Sequence, residues 1–171
     1  MADDMQLVRI AGAIRRFLEP AWLEWHQSWG EMPAVPSRWT CTRSSVFLQK
    51  VLREDFGLPA LWRSGTPRLL PDGPDDCPYG FQTAQGWEAH AWVEVDGRIV
   101  DVTLDQYGEA PVVVTPASDQ RYSAGEGPSA LPEFSAGRSQ AIEELWPKWQ
   151  ASAERQDLVR TNSVSSLSIA R

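Results

Sequence analysis

Cys41, His90 and Asp101 are the residues whose types and order could carry covalent chemistry. A thiol, an imidazole and a carboxylate supply a nucleophile, a proton carrier and an orienting group, which is the set that acyl transfer needs. Two of the three fall in Glu88-Ala-His-Ala-Trp-Val-Glu-Val-Asp-Gly-Arg-Ile-Val-Asp-Val-Thr103. Residues 88–95 and 98–103 are rich in Val, Ile, Trp and Thr and read as strands, and Asp96-Gly97 between them reads as a two-residue type I′ turn. That turn sets Val95 opposite Arg98, Trp92 opposite Asp101 and His90 opposite Thr103. A period of two then places His90, Trp92, Glu94, Ile99, Asp101 and Thr103 on one face. Ala89, Ala91, Val93, Val95, Val100 and Val102 form the other, which belongs against a core. Diagonal neighbours on such a pair lie about 7–8 Å apart, within reach of an imidazole–carboxylate hydrogen bond that would set the ring tautomer and favour the imidazolium.

The third residue opens a helix. In Thr40-Cys-Thr-Arg-Ser-Ser-Val-Phe-Leu-Gln-Lys-Val-Leu-Arg-Glu-Asp-Phe-Gly57, the apolar set Phe47, Leu48, Val51, Leu52 and Phe56 marks a buried stripe. Thr40 is the expected N-cap and Gly57 the stop, which puts Cys41 in the first turn among unpaired backbone N–H groups. A thiol at such a position, beside an imidazolium, ionises more readily than a free one, and the thiolate is the nucleophile. Each residue also has a plainer role: Cys41 as a small buried hydrophobe, His90 as a hydrogen-bonded sheet histidine, Asp101 as a turn carboxylate. The three in one order favour chemistry.

The elements that must position them follow. Leu7, Ile10, Ala11, Ile14, Phe17, Leu18, Ala21, Trp22 and Trp25 have helical spacing over residues 5–25, with a kink or split expected at Pro20. Gly30, Pro33 and Pro36 mark a loop leading to Cys41, and His26 before it reads as a solvated or capping residue. Residues 58–65 read as a short strand, 66–87 as a long loop that covers or shapes a site, 111–115 as a further strand and 116–137 as a second loop. A helix is expected over 138–160, interrupted at Pro147, with a mobile tail from Thr161. One domain over 1–160 accounts for the chain.

Composition sets outer limits. With 171 residues, 42% of them hydrophobic and 23% charged, one globular domain can bury a sizeable core without staples. A net charge of −7 with no basic cluster argues against nucleic acid as a partner. Apolar runs stay below membrane-spanning length and the N-terminus is acidic, so a cytoplasmic protein with no membrane partner is expected. Cys41 and Cys77 then read as two free thiols, Cys77 without a role. Too few Cys and His are present for a metal site, and no cofactor is called for. Most of the nine tryptophans read as core or groove lining.

Taken together, Cys41-x-x-x-Ser45-x-x-Leu48-x-x-x-Leu52, then Gly57-Leu-Pro-Ala60, then His90-Ala-Trp-Val-Glu-Val-Asp-Gly97 with Asp101, resembles the transglutaminase-like branch of the papain-like cysteine enzymes. The phrases Cys41-Thr-Arg-Ser44 and Ala89–Gly97 are similar to the bacterial leader peptidases of lasso-peptide biosynthesis. The continuation Asp101–Gly108 resembles small bacterial transglutaminase-like proteins more closely. The resemblance spans residues 39–108. It implies an α+β fold with the cysteine helix packed on an antiparallel sheet, a peptide or protein substrate, Cys41 as nucleophile, His90 as general base and acid, and Asp101 as orienting carboxylate. The oxyanion-binding glutamine that papain-type enzymes carry a few residues before the cysteine is missing, Val35 standing in that neighbourhood. The Cys41 N–H with a side-chain donor is expected instead, Trp39 and Gln106 being the candidates and Trp92 a further substrate contact. Hydrolysis and transfer to an amine both remain open. So do an inactive peptide-binding module and a small-molecule acyltransferase resembling the arylamine N-acetyltransferases, which share the Cys, His, Asp order.

Overall fold

The computed structural model describes residues 2–67, 78–125 and 132–168, so Cys77 lies outside the described residues. The fold is α+β. Its helices are α1 (Asp4–Trp29), α2 (Cys41–Glu54), α3 (Pro132–Gln150) and α4 (Ala153–Ser168). Its strands are β1 (Leu61–Gly65), β2 (Gly80–Thr83), β3 (Gly86–Glu88), β4 (His90–Val95), β5 (Arg98–Asp101), β6 (Val113–Pro116) and β7 (Tyr122–Ser123), and a 3-10 turn spans Leu104–Tyr107. A four-stranded antiparallel sheet runs β1-β4-β5-β6, and a three-stranded one runs β3-β2-β7.

The β4–β5 hairpin has the expected register, Val95 opposite Arg98. Asp96 (φ 50°) and Gly97 (φ 77°) both take the left-handed conformation that a type I′ turn requires. Val93, Val95, Val100 and Val102 accordingly face the main core, under Leu7, Ile10, Ile14, Leu18 and Trp22 of α1 and Phe47, Leu48, Val51 and Leu52 of α2. Ala89 departs from the pattern and is exposed, since it sits at the break between β3 and β4.

The helices are longer than their prolines suggest. α1 is capped by Asp3, which accepts the Gln6 N–H at 2.7 Å, and runs unbroken through Pro20 to Gly30 in the left-handed conformation. Pro20 and Arg16 are both exposed, so the helical bond lost between them leaves a carbonyl that water can satisfy. The same holds at Pro147 and Glu143, and the expected interruption falls instead at Ala151-Ser152. There Ser152 Oγ accepts the Arg155 N–H at 3.2 Å and caps α4. α4 extends to Ser168, past the expected boundary at 160.

The face of β4 and β5 opposite the core is also covered. Phe81 of β2 and Tyr122 of β7 pack with Trp92, Ile99 and Leu104 into a second apolar cluster. Residues 80–88 and 122–123 thus form strands where loops were expected, because β2, β3 and β7 have only four, three and two residues. The two sheets meet on bare backbone: a Cβ on Gly65 would stand 2.1 Å from the Gly80 nitrogen, and one on Gly80 would stand 2.0 Å from the Glu88 carbonyl oxygen. Only glycine permits that approach. Among the described residues no helix is long and apolar enough to cross a membrane.

Candidate functional site

β4 opens with His90 and β5 closes with Asp101, so the hairpin register brings the two side chains together on the covered face. His90 Nε2 lies 2.5 Å from Asp101 Oδ2, and both residues are at most 2% exposed. Burial works against a charged ring here. The Asp101 charge and hydrogen bond outweigh it, Cys41 adds a hydrogen bond and a charge of its own, and His90 is pushed up to about 10. Burial likewise opposes the Asp101 carboxylate, but His90, the Thr103 N–H and the Tyr122 hydroxyl hold it below the usual carboxylate range. Because Nε2 is taken by Asp101, Nδ1 is the ring nitrogen left to face Cys41.

Cys41 is a free, half-buried thiol at the first position of α2. The first helical hydrogen bond is Ser44 N–H to Thr40 O at 2.9 Å, so the N–H groups of residues 41–43 have no helical acceptor and give the helix start that carries Cys41 its positive dipole end. Thr40 occupies the N-cap position without capping through its side chain: its hydroxyl donates to Ser37 O at 2.7 Å instead. That bond ties the loop before Cys41 to the helix start.

The sulfur opens on a cleft of about 640 Å³. Arg38, Trp39, Gln106 and Tyr107 line it together with Thr83, Gln85, Glu88 and Ala89. Gln106 is held at both ends of its amide, Oε1 accepting the Trp39 N–H at 3.4 Å and Nε2 donating to Thr103 O at 2.9 Å. Nε2 also lies 3.4 Å from His90 Nδ1. Trp39 stands in the left-handed region at φ 64°, with its indole half in solvent and the Arg38 guanidinium 5.0 Å from the ring. Trp92 does not line the cleft. It is 1% exposed and stacks behind the imidazole, ring centroids 6.3 Å apart, because its alternation toward the His90 face places it under β7.

Several residues at the site carry no signal in the sequence. Tyr122 donates to Asp101 Oδ2 at 3.2 Å, and burial and the Asp101 charge push its phenol well up. Arg15 of α1 pairs in bidentate fashion with Asp105 (2.9 and 2.7 Å) and also donates to Val102 O at 2.7 Å. Asp105 in turn accepts the Ser37 hydroxyl at 2.6 Å. One carboxylate therefore joins α1, the loop before Cys41 and the turn that presents Gln106 and Tyr107. His26, expected at a solvated helix end, is fully buried with Nε2 2.8 Å from Pro36 O and its ring against Trp29 and Trp39. The loop from Gly30 folds back over it.

Among the described residues, no group of three or more His, Cys, Asp or Glu side chains could hold a metal ion. A smaller groove of about 310 Å³ sets Arg9 and Arg16 of α1 against Glu154 and Asp157 of α4 and is lined by neither cysteine nor histidine. Comparison with protein-family models, with curated proteins and with solved structures finds no match for the chain.

Proposed function

We propose that the protein is a cysteine-dependent acyl-transfer enzyme, with a papain- or transglutaminase-like arrangement, acting through Cys41, His90 and Asp101 on a peptide or protein substrate. The observation that carries this is the pairing of a half-open thiol at a helix start with a buried imidazole whose far nitrogen is already bound to a buried carboxylate. A buried structural histidine needs only some hydrogen-bond partner; what supports chemistry is a carboxylate-bound ring that has its other nitrogen left for a cysteine lining a cleft.

In the reaction so assigned, the Cys41 thiolate attacks a carbonyl carbon and the carbonyl electron pair moves onto oxygen. The tetrahedral oxyanion is met by the Cys41 N–H and by Gln106 Nε2. One Gln106 N–H is committed to Thr103 O, and the other cannot donate to an Nδ1 that itself carries a proton, so it is left for the cleft. Collapse expels an amine, which takes its proton from His90, and leaves a thioester on Cys41. Water or a second amine, deprotonated by the now neutral ring, releases the acyl group and restores the starting ion pair.

The test is alkylation by iodoacetamide at neutral pH, read by peptide mapping, with hydrolysis of p-nitrophenyl acetate alongside. Cys41 should label at least about tenfold faster than Cys77. Cys41→Ala and His90→Gln should each reduce esterolysis by about 10³-fold or more while leaving circular dichroism unchanged. Equal, slow labelling of both thiols would reject the enzyme.

A further inference from the structure

We infer that the substrate is an extended polypeptide segment that adds to the open edge of β3 through the backbone of Trp87, an inference that rests on the acyl-transfer assignment of Cys41. β3 pairs with β2 on one side, and among the described residues with no strand on the other. Register decides which backbone groups face that edge. The Gln82 N–H donates to Arg121 O at 2.8 Å, so Gln82 turns its backbone toward β7. Its neighbours Phe81 and Thr83 must turn theirs toward Glu88 and Gly86, their partners in β3. Glu88 and Gly86 therefore point back at β2, and Trp87 between them points both its N–H and its C=O outward.

Where the chain leaves β3, the Ala89 carbonyl accepts the Tyr107 hydroxyl at 2.7 Å, so the end of this strand lies beside the 3-10 turn. The residues that follow Trp87, Glu88 and Ala89, line the cleft shared with Cys41 together with Tyr107, so the open edge of β3 borders that cleft. An N–H and C=O from one residue are what an added antiparallel strand uses to register itself. Trp87 lies three residues before His90, at most about 10 Å of extended chain, so a substrate residue paired with it falls within a few residues of the carbonyl at Cys41. A small acyl donor, or a single side-chain amide, would fill only the Cys41 end and leave the Trp87 pair in water.

Alkylation of Cys41 in the full chain, read by mass spectrometry, tests this. The probes are acetyl-tetrapeptidyl chloromethyl ketones randomised at the outer three positions, the acetyl-alanyl chloromethyl ketone, and iodoacetamide. The tetrapeptidyl reagent should react about tenfold faster than the alanyl one, as two net hydrogen bonds imply, and N-methylation at one outer position should erase most of that gain. Trp87→Pro removes the outward N–H without touching a bond to β2, and should lower the ratio of tetrapeptidyl to iodoacetamide rate by a similar factor, whereas Trp87→Phe should preserve it. Equal rates for long and short reagents, or a gain indifferent to N-methylation at every position, overturn the edge pairing. Iodoacetamide labelling of Cys41 that is no faster than in His90→Ala overturns the acyl-transfer assignment instead. The pairing is then decided in Cys41→Ala with acetyl-tetrapeptide amides of the same sequences: slowed hydrogen exchange at the Trp87 amide sustains it, and unchanged exchange overturns it.

Discussion

Tyr122 and His90 converge on one oxygen: the Tyr122 hydroxyl donates to Asp101 Oδ2 at 3.2 Å, the same atom that lies 2.5 Å from His90 Nε2. The other carboxylate oxygen accepts the Thr103 N–H at 2.9 Å and its hydroxyl at 3.2 Å. A buried charge is thereby satisfied on every side, which is the condition for keeping it ionised away from water. Tyr122→Phe keeps the ring in the cluster with Phe81 and Trp92 but removes one bond to a charged group. Stability in urea should drop by about 1.5–3 kcal/mol. An unchanged midpoint would mean that Asp101 does not depend on this phenol.

The His90–Asp101 pair makes stability depend on pH in a defined direction. His90 is raised from 6.5 to about 10 on folding, so its contribution is complete below pH 6.5 and is lost as pH rises through about 10. Asp101 is lowered, so its contribution is complete above the unfolded value near pH 3.8 and is lost as pH falls through the lower folded value. Thermal unfolding should show a plateau between these limits and a decline on either side. In Asp101→Asn, burial, which favours the neutral ring, is opposed only by the smaller contribution of Cys41. The alkaline decline should then flatten, and the upper pH limit of Cys41-dependent esterolysis should move down. An undiminished alkaline decline in Asp101→Asn would assign it to another group.

Under the proposed acyl-transfer reaction, Gln106 should separate turnover from binding. If its uncommitted N–H meets the oxyanion, Gln106→Leu should lower kcat for p-nitrophenyl acetate by about 10²–10³-fold with little change in KM. Iodoacetamide alkylation, which forms no oxyanion, should change far less. A parallel loss in both assays would make Gln106 a support for the loop at Trp39 rather than a contact to the reacting oxygen.

Arg15 and Asp105 hold the cleft together from behind. Their bidentate pair is mostly shielded from solvent and also anchors Ser37 and Val102. Removing Arg15 leaves the Asp105 carboxylate without its counter-charge, and removing Asp105 leaves Arg15 only the half-exposed Glu19 at 3.2 Å as counter-charge, so Arg15→Ala should cost about 3 kcal/mol and Asp105→Ala somewhat less. The double variant should be less destabilised than the sum. Both single variants should also slow Cys41 alkylation, because the loop ending at Thr40 and the turn bearing Gln106 share this carboxylate. Stability loss without any change at Cys41 would confine the pair to a structural role.

How much of this was legible beforehand depended on distance along the chain. Asp96-Gly97 announced its turn, the alternation from Ala91 to Val102 announced which face would meet the core, and Thr40-Cys41 announced the start of a helix. Each is a local rule, carried by backbone sterics or by a period of two or 3.6 residues, and each can be read from neighbours alone. The prolines misled for a related reason: Pro20 and Pro147 remove a donor wherever they occur, but whether that breaks a helix depends on whether the orphaned carbonyl reaches water.

The order Cys41, His90, Asp101 and the Ala/Val side of the β4–β5 hairpin were determined by the sequence itself, because short-range geometry leaves a hairpin with that turn one register and one apolar face. Tertiary structure alone decided that the opposite face would be sealed by β2 and β7, that Tyr122 would reach Asp101, and that Arg15 would reach Asp105 across 90 residues. Those contacts join segments with no shared periodicity, and close backbone approach at Gly65 and Gly80 creates part of the seal. Burial by distant strands is what turns a surface imidazole and carboxylate into a fixed, strongly coupled pair.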